Sequence, residues 1–447
     1  MIREETTLVI GQAKKLVDLA MKLGASEAEV YASSGRIVAV ETVRGDLGYG
    51  EESVSGGVGV RVIANGAEGY SSSNDPAKFE EAVRAAIECA KARPADPDLK
   101  GLPRPRPYKN VHGVFDKRID EIGLDKCMDI AAGMIEAAKE DKGASVTFGK
   151  LSCVVSDTAI MNSSGVSVED RETVFMGYVD VIMKEGTRVS TAYDYDVARS
   201  LDLDMQAVGR NASKLARSSL ESEPTFEQTV DVLLGPNAFG DLLESTLLSS
   251  INSENVQKGR SGLAGKIGQR IAAEGMTVVD DGLLDGGLGT ARSDDEGVPS
   301  QKTVILDDGV LKTFLYDTYT AGKDKRASTG NAVRGSYGSP PMVGPRNICF
   351  EYPRSDVVKE TDRGIYVNSV IGAHTANPIS GDFSVECRNA FVVENGVMTK
   401  PIKSMMISGN VFELMKKVDG MGRDDKFVGS VVSPTVRVKD MKVTPGA

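Results

Sequence analysis

The sequence predicts an α+β protein in three parts: a small N-terminal α+β domain (1–92), a middle α+β domain (111–221) and a larger β-rich C-terminal domain (222–447). Three observations predict it. In the first half, segments with a 3.6-residue apolar period enclose runs whose period drops towards two. A proline-rich stretch without any period, RPADPDLKGLPRPRPYKN (93–110), interrupts them and reads as a linker. The second half carries successive hairpin signals and no long parallel βαβ series.

Taken in order, Thr7 to Leu23 reads as an amphipathic helix that buries Ala13, Leu16, Val17, Ala20 and Leu23 and stops at Gly24. Glu27 to Tyr70 reads as three or more strands joined by tight turns, with Asn65-Gly66 as one turn. Pro76 to Ala92 is a second helix, carrying Phe79, Val83, Ala86, Ile87 and Ala90. Leu124 to Glu140 is a third, with Met128, Ala131, Ala132 and Ile135 on its apolar face. Ser145 to Met183 reads as strands around an NSSG turn, with Glu169, Asp170 and Glu172 on a solvated face, and Leu203 to Ser219 as a closing helix. Val230 to Leu234 is short and apolar enough for a buried strand, broken by Gly235-Pro236. A helix from about Asn237 to Asn255 follows, because proline is tolerated in a first turn and Phe239, Leu242, Leu243, Thr246, Leu247 and Ser250 share one face. Hairpins are expected around Asp307-Asp308-Gly309 and Asn395-Gly396, and one or two strands close the chain.

Composition narrows the function. The net charge of −11 is a poor basis for wrapping nucleic acid, which needs a basic face. The five cysteines are odd in number, far apart and without a CxxC pair, which reads as reduced thiols in a cytoplasmic chain. The first residues lack the long apolar core of a signal peptide, and no stretch approaches a membrane span. There are only two histidines, His112 and His374, so a zinc site would need an unusual ligand set. His112 reads as a surface residue at a domain start. GLAGKIG (262–268) has the wrong spacing for a phosphate loop, and no GxSxG or strand-bound GxGxxG appears.

The stretch from Thr229 to Ala291, with GRSGLAGKIGQ, Val278-Val279-Asp280-Asp281 and DDEGVP (294–299), resembles the TldD/PmbA family, which is metallopeptidase-related and was once labelled a modulator of DNA gyrase. The resemblance covers most of the chain, strongest over 230–333 and from Gly381 onward. The family's catalytic branch carries HExxxH on the helix after Pro236. Laid on this chain, that motif falls on Glu244-Ser245-Thr246-Leu247-Leu248-Ser249, so Glu244, Ser245 and Ser249 stand where the metal ligands and general base would be. Serine is a poor zinc ligand, and one carboxylate does not make a site. The branch's C-terminal cysteine ligand, counted back from SPTVRV, falls near Gly420, and no cysteine follows Cys387. The chain therefore resembles the PmbA, or TldE, branch, with a degenerate metallopeptidase helix.

Other candidates carry chemistry of their own. Asp294, Asp295 and Glu296 are adjacent carboxylates that suit a hard cation, acid–base work or the shaping of a peptide channel, or else form a turn with charges solvated or paired with Arg292. His374, Asp382, Glu386 and Cys387 would have to fold back on one another to hold a metal. Asn331, Arg334 and Arg260 suit a peptide backbone or terminus, although either arginine could equally form a structural ion pair, and GDFS around Asp382 resembles a segment that supports the family's substrate region.

The resemblance implies a dimer in which a TldD-like HExxxH subunit supplies zinc and acts on small or unfolded peptides, microcin precursors included. This chain would be the partner without catalytic residues or metal of its own, inactive alone, shaping the chamber and positioning peptide; a homodimer is also open. Two other classes stay open at this point: a self-sufficient metal-dependent peptidase with a non-standard site, and a binding protein acting on gyrase or another target without contacting DNA or membrane.

Overall fold

The computed structural model describes residues 9–43 and 45–446. Thr7 and Leu8 of the first predicted helix lie outside them; the helix itself is α1 (Ala13–Lys22). The N-terminal half is one six-stranded antiparallel sheet in the order β3-β2-β1-β4-β5-β6, built from β1 (Glu27–Val43), β2 (Asp46–Ala64), β3 (Ala67–Ser73), β4 (Ala144–Asn162), β5 (Ser167–Glu185) and β6 (Arg188–Ala198). The helices α2 (Phe79–Lys91), α3 (Lys117–Glu121), α4 (Leu124–Lys139) and α5 (Met205–Ser218) complete this half. The proline-rich stretch does not divide the sheet, because β1 pairs with β4 along almost its whole length. It packs against the sheet instead: the Leu102 N–H donates to the Glu27 carboxylate at 2.7 Å, and Asn162 Nδ2 donates to the Pro103 carbonyl at 2.9 Å.

Strand alternation gives this sheet two different faces. On β1, Ala28, Val30 and Ala32 pack under α1 and α2, and Val38 and Val40 under α4 and α5. The intervening Glu29 and Tyr31 point the other way, as does Arg61, which stands directly opposite Glu29 across the β1–β2 ladder. That second face receives the C-terminal half. On α4 the buried stripe is Cys127, Ala131, Met134, Ile135 and Ala138; Met128, placed on the apolar face by the sequence, is 37% exposed. The carboxylates of β5 are not a free solvated face either: Asp170 pairs with Arg292 at 2.6 Å and Glu172 with Arg199 at 2.8 Å.

The C-terminal half is β-rich. β7 (Glu223–Pro224), β8 (Gln228–Leu234), β15 (Arg363–Ile371), β16 (Asp382–Glu394), β17 (Val397–Lys403), β18 (Met405–Asn410), β19 (Val418–Met421) and β22 (Val436–Pro445) form one sheet. It closes on itself, because β15 pairs with both β8 and β16. The second sheet runs β11-β10-β9-β14-β21-β20, from β9 (Thr277–Asp281), β10 (Lys302–Asp307), β11 (Val310–Leu311), β14 (Ile348–Glu351), β20 (Lys426–Val428) and β21 (Val431–Ser433). A short ladder, β12 (Ala332–Val333) with β13 (Met342–Val343), stands apart. The helices here are α6 (Pro236–Ser245), α7 (Leu247–Ser250), α8 (Ser253–Gln257), α9 (Thr318–Lys323) and α10 (Val411–Lys416). One core joins both sheets around α6. The two expected hairpins are present. Asn395 and Gly396 both take positive φ, 50° and 78°, which is the reason an Asn-Gly pair suits a two-residue turn. The Asp307–Gly309 hairpin is shorter than expected, since its second strand ends at Leu311.

Candidate functional site

The helix after β8 starts as the sequence dictates, with Gly235 as the N-cap and Pro236 in the first turn, and it buries Ala238, Phe239, Leu242 and Leu243. The Phe239 and Phe350 rings meet at 5.3 Å. It does not run to Asn255. It breaks at Thr246, whose φ of −131° and ψ of −70° leave the helical region, and resumes as α7 and then α8. At the break the Thr246 hydroxyl donates to the Leu242 carbonyl, and the Thr246 N–H turns to the Leu243 carbonyl at 3.2 Å. A hydroxyl that takes the i−4 carbonyl competes with the backbone ladder and bends the helix. Asn252 then caps α8, accepting from the Glu254 N–H at 2.8 Å.

The degenerate positions have other partners. The Glu244 carboxylate accepts the Ser430 N–H, and burial pushes its pKa up against that hydrogen bond. Ser249 Oγ accepts Asn255 Nδ2 at 3.0 Å. The chain meeting Glu244 is Gly429-Ser430; Gly420, reached by counting, lies on β19 against Val357 and Arg437. One turn before Glu244, Asp241 is pushed up to about 6 by burial and by the Glu244 charge.

Facing this helix is a wall of aromatic rings that sequence reasoning missed. Tyr178 and Tyr193 stack at 5.6 Å, and Tyr193 and Tyr195 at 6.5 Å. The Tyr195 hydroxyl donates to the Phe427 carbonyl at 2.8 Å, while Lys426 lies 4.2 Å over the Tyr195 ring and pairs with Asp194 at 2.8 Å. Burial, and then the Asp241 charge, raise the Tyr193 pKa. The signal was present as YDYD (193–196), where alternation puts both tyrosines on one face of β6.

The acidic motif lies elsewhere and is closed. Asp294 and Glu296 are 0% and 1% exposed, so neither is a solvated turn charge, and Arg292 has gone to Asp170 instead. Asp294 organises the turn: its carboxylate accepts the N–H groups of Glu296 at 3.0 Å, Val298 at 2.9 Å and Ala332 at 3.1 Å. Burial and the neighbouring Glu296 charge push it well above the usual carboxylate range. Asp295 accepts the Arg334 N–H at 2.6 Å. Glu296 takes Arg61 Nη1 at 2.7 Å and the Thr318 N–H at 2.8 Å; burial raises its pKa, but Arg61 and Thr318 together hold it below its ordinary value. Arg61 Nη2 reaches Glu29 at 2.8 Å, and Arg334 Nη2 reaches the other oxygen of Glu29. The four side chains are at most 5% exposed. Arg334 also lies 5.0 Å over the Tyr31 ring. Asn331 joins from behind, donating to Asp280 and to the Gly344 carbonyl. Asp294, Asp295, Glu296, Asn331 and Arg334 therefore come together, with Glu29 and Arg61 of the first sheet as partners that the sequence did not announce. Arg260 stands exposed after α8, and Asp382 is exposed at the start of β16, held below its ordinary pKa by Asn410 and Ser380.

Zinc needs several nitrogen, sulfur or carboxylate donors converging on one point. Glu386 and Cys387 are neighbours on β16 and point to opposite faces; Cys387 is buried, while His374 is exposed on a different segment. Among the described residues no three His, Cys, Asp or Glu side chains come together as a ligand set. Glu244, Ser245 and Ser249 supply one usable donor group. The residues present do not fit the ion. Among the described residues no helix is long and apolar enough to cross a membrane.

Comparison with known proteins gives a consistent result. Family models match residues 28–92 as PmbA/TldA metallopeptidase domain 1, 117–220 as the central domain and 227–445 as the C-terminal domain. An uncharacterized protein of Methanocaldococcus jannaschii is 34% identical over 95% of this chain and 98% of its own length. A metalloprotease PmbA homolog of Buchnera aphidicola is 27% identical over 63% of this chain and 62% of its own. Among solved structures, TldE from Thermococcus kodakarensis superposes with a TM-score of 0.90 at 26% identity, covering 96% of this chain and 99% of that one. A proposed modulator of a DNA gyrase from Thermotoga maritima gives 0.89 at 27% identity, covering 96% and 98%.

Proposed function

This chain belongs to the PmbA/TldA metallopeptidase family, and from that premise we propose that it is the PmbA/TldE-like, non-catalytic subunit of a heteromeric TldD-type zinc metallopeptidase acting on small or unfolded peptides. The zinc belongs to a TldD-like HExxxH partner. The observation that carries the reading is the state of the degenerate helix: Glu244, Ser245 and Ser249 replace the motif, and Glu244 is occupied by the Ser430 N–H. Glu244 and Ser249 stand where the imidazole ligands would be and Ser245 where the general base would be, so the helix lacks both the ligand pair and the carboxylate that would take a proton from bound water. The rest of the site then serves shape. The tyrosine wall presents apolar faces with polar edges, which suits an extended peptide whose side chains vary.

The test is reconstitution. The chain purified alone is expected to hold far less than about one zinc per chain and to leave an unstructured peptide intact. Mixed with an HExxxH-bearing family member, it is expected to form a stoichiometric complex whose hydrolysis is abolished by chelator. Tightly bound zinc on the chain alone, lost with His374→Ala and accompanied by hydrolysis, would overturn the reading in favour of a self-sufficient enzyme.

A further inference from the structure

A cleft lies beside the acidic motif, between the proline-rich stretch and the loop that follows α9, with Val298 and Pro299 in its lining. Its cavity measures about 380 Å³, and Lys100, Arg104, Arg106, Lys325 and Arg326 all line it. No Asp or Glu is among the lining residues, in a chain whose net charge is −11. Among the described residues none of these five cations has a carboxylate within ion-pair distance. Lys100 donates to the Pro97 carbonyl at 2.6 Å, and Arg326 lies 5.9 Å over the Tyr316 ring.

Both walls are built to hold the charges in place. On one side, Pro103, Pro105 and Pro107 alternate with Arg104 and Arg106. Each proline fixes its own φ and restricts the residue before it, so the two guanidiniums are carried on a stiff, extended segment. On the other side, α9 ends in a Schellman turn: the Arg326 N–H donates to the Ala321 carbonyl at 2.8 Å and the Lys325 N–H to the Gly322 carbonyl at 3.2 Å. The turn needs a left-handed residue, the usual place for glycine, yet it is Lys325 that adopts a φ of 54°. The turn thereby fixes the backbone that carries Lys325 and Arg326 at the rim of the cleft. Thr318, also lining the cleft, has a buried hydroxyl without a hydrogen-bond partner.

We propose that this cleft binds the carboxylates of an acidic peptide segment. Alternate residues of a polyproline-type segment advance about 6 Å along its axis, close to the spacing of alternate side chains in an extended peptide. Guanidinium forks pair with carboxylates through two parallel hydrogen bonds. Several cations spread along a cleft match several carboxylates spaced along a chain better than one compact anion. The proposal rests on the peptidase-subunit reading for its biological context and names a substrate class for it.

The test uses the full chain alone. A labelled decaglutamate peptide is titrated at low salt and followed by fluorescence anisotropy, with decaglutamine as control. Decaglutamate is expected to bind and decaglutamine not, with affinity falling as salt is raised. Arg104→Gln/Arg106→Gln is expected to weaken binding about tenfold, at about threefold for each exposed charge, with an unchanged melting temperature. Lys325→Gly is expected to raise the melting temperature while weakening binding about threefold; a purely structural lysine would raise stability and leave binding alone. Wild-type indifference to decaglutamate, or equal binding by the double variant, would overturn the proposal. So would tighter binding of oligodeoxythymidylate lost in the same variants, which would move the cleft to nucleic acid. Binding is read without the catalytic partner, so failure here and failure of reconstitution are separate results.

Discussion

Two seams join the first sheet to the C-terminal half, and they are made of opposite materials. One is charged and shut: Glu29 and Arg61 on the sheet meet Glu296 and Arg334 on the C-terminal loops, all nearly inaccessible. The other is aromatic and partly open: Tyr178, Tyr193 and Tyr195 stack, Lys426 lies over Tyr195, and Asp241 of the broken helix acts on Tyr193 and Tyr195. The difference separates holding from handling. Burying four charges is tolerable only when every one is paired, so the first seam has a single acceptable geometry. Stacked rings and half-buried carboxylates tolerate rearrangement. The dense acidic motif, the most reactive-looking feature of the sequence, is on the holding side.

The comparison breaks first at Arg61. Arg61→Met leaves Glu29 and Glu296 buried without their shared cation, and is expected to lower unfolding free energy by about 3–5 kcal/mol. Urea denaturation at neutral pH measures it. Arg61→Met/Glu296→Leu is expected to recover part of the loss, because Glu29 keeps Arg334. A single-variant effect below about 1 kcal/mol, the size of an exposed pair, would mean the seam does not hold the halves together.

Next comes pH. Asp317 caps α9 through Thr320 and is raised to about 6 by burial and by Glu296; Asp241 in the other seam is also raised to about 6. A carboxyl with a raised folded-state pKa takes up protons on folding. Its stabilising contribution is complete below its unfolded pKa of about 4 and is lost as pH rises through about 6. Asp317→Asn keeps a capping side chain. It is expected to be more stable than the parent above pH 6, on the order of 2 kcal/mol, and to lose that advantage by pH 4. Asp241→Asn is expected to show the same sign and a smaller size, because its site is more open. Melting temperatures of parent and variants across that range decide it; an advantage that does not shrink with falling pH counts against the assignment.

What the sequence revealed follows the range of the interactions involved. Helices α2, α4 and α5 and the Asn395-Gly396 hairpin are written in local period and turn chemistry, so they were legible. The charged seam was not, because Glu29 and Arg61 read as ordinary polar positions in alternating strands, and their partners lie 235 and 305 residues away. The single sheet was hidden for the same reason: the β1–β4 pairing crosses the proline-rich stretch that marks a domain break by composition. Asp294, Asp295 and Glu296 were found as a motif, yet burial, which no local pattern encodes, removes the reading of Asp294 and Glu296 as solvated turn charges.

A smaller effect sharpens the aromatic side. Tyr195→Phe removes the hydrogen bond to the Phe427 carbonyl and leaves the stack intact. It is expected to lower stability by about 1 kcal/mol, several times less than Arg61→Met. Equal losses in the two variants would erase the distinction between the seams.

The smallest effect is expected at Thr246 and asks what breaks the helix. Positions 244 and 249 are five apart, so in an unbroken helix they would point about 140° from each other; the break, not helical periodicity, sets the direction of Ser249. If the Thr246 hydroxyl causes the break by occupying the Leu242 carbonyl, Thr246→Ala frees that carbonyl for the backbone N–H of the same residue. Alanine's better helix propensity then offsets the lost side-chain bond, leaving net stability within about 0.5 kcal/mol. The change should be visible locally, as slower amide exchange at position 246 and a longer first helix. Unchanged exchange would assign the break to packing, since Leu247 and Leu248 are buried on the far side of it and anchor α7 independently of the threonine.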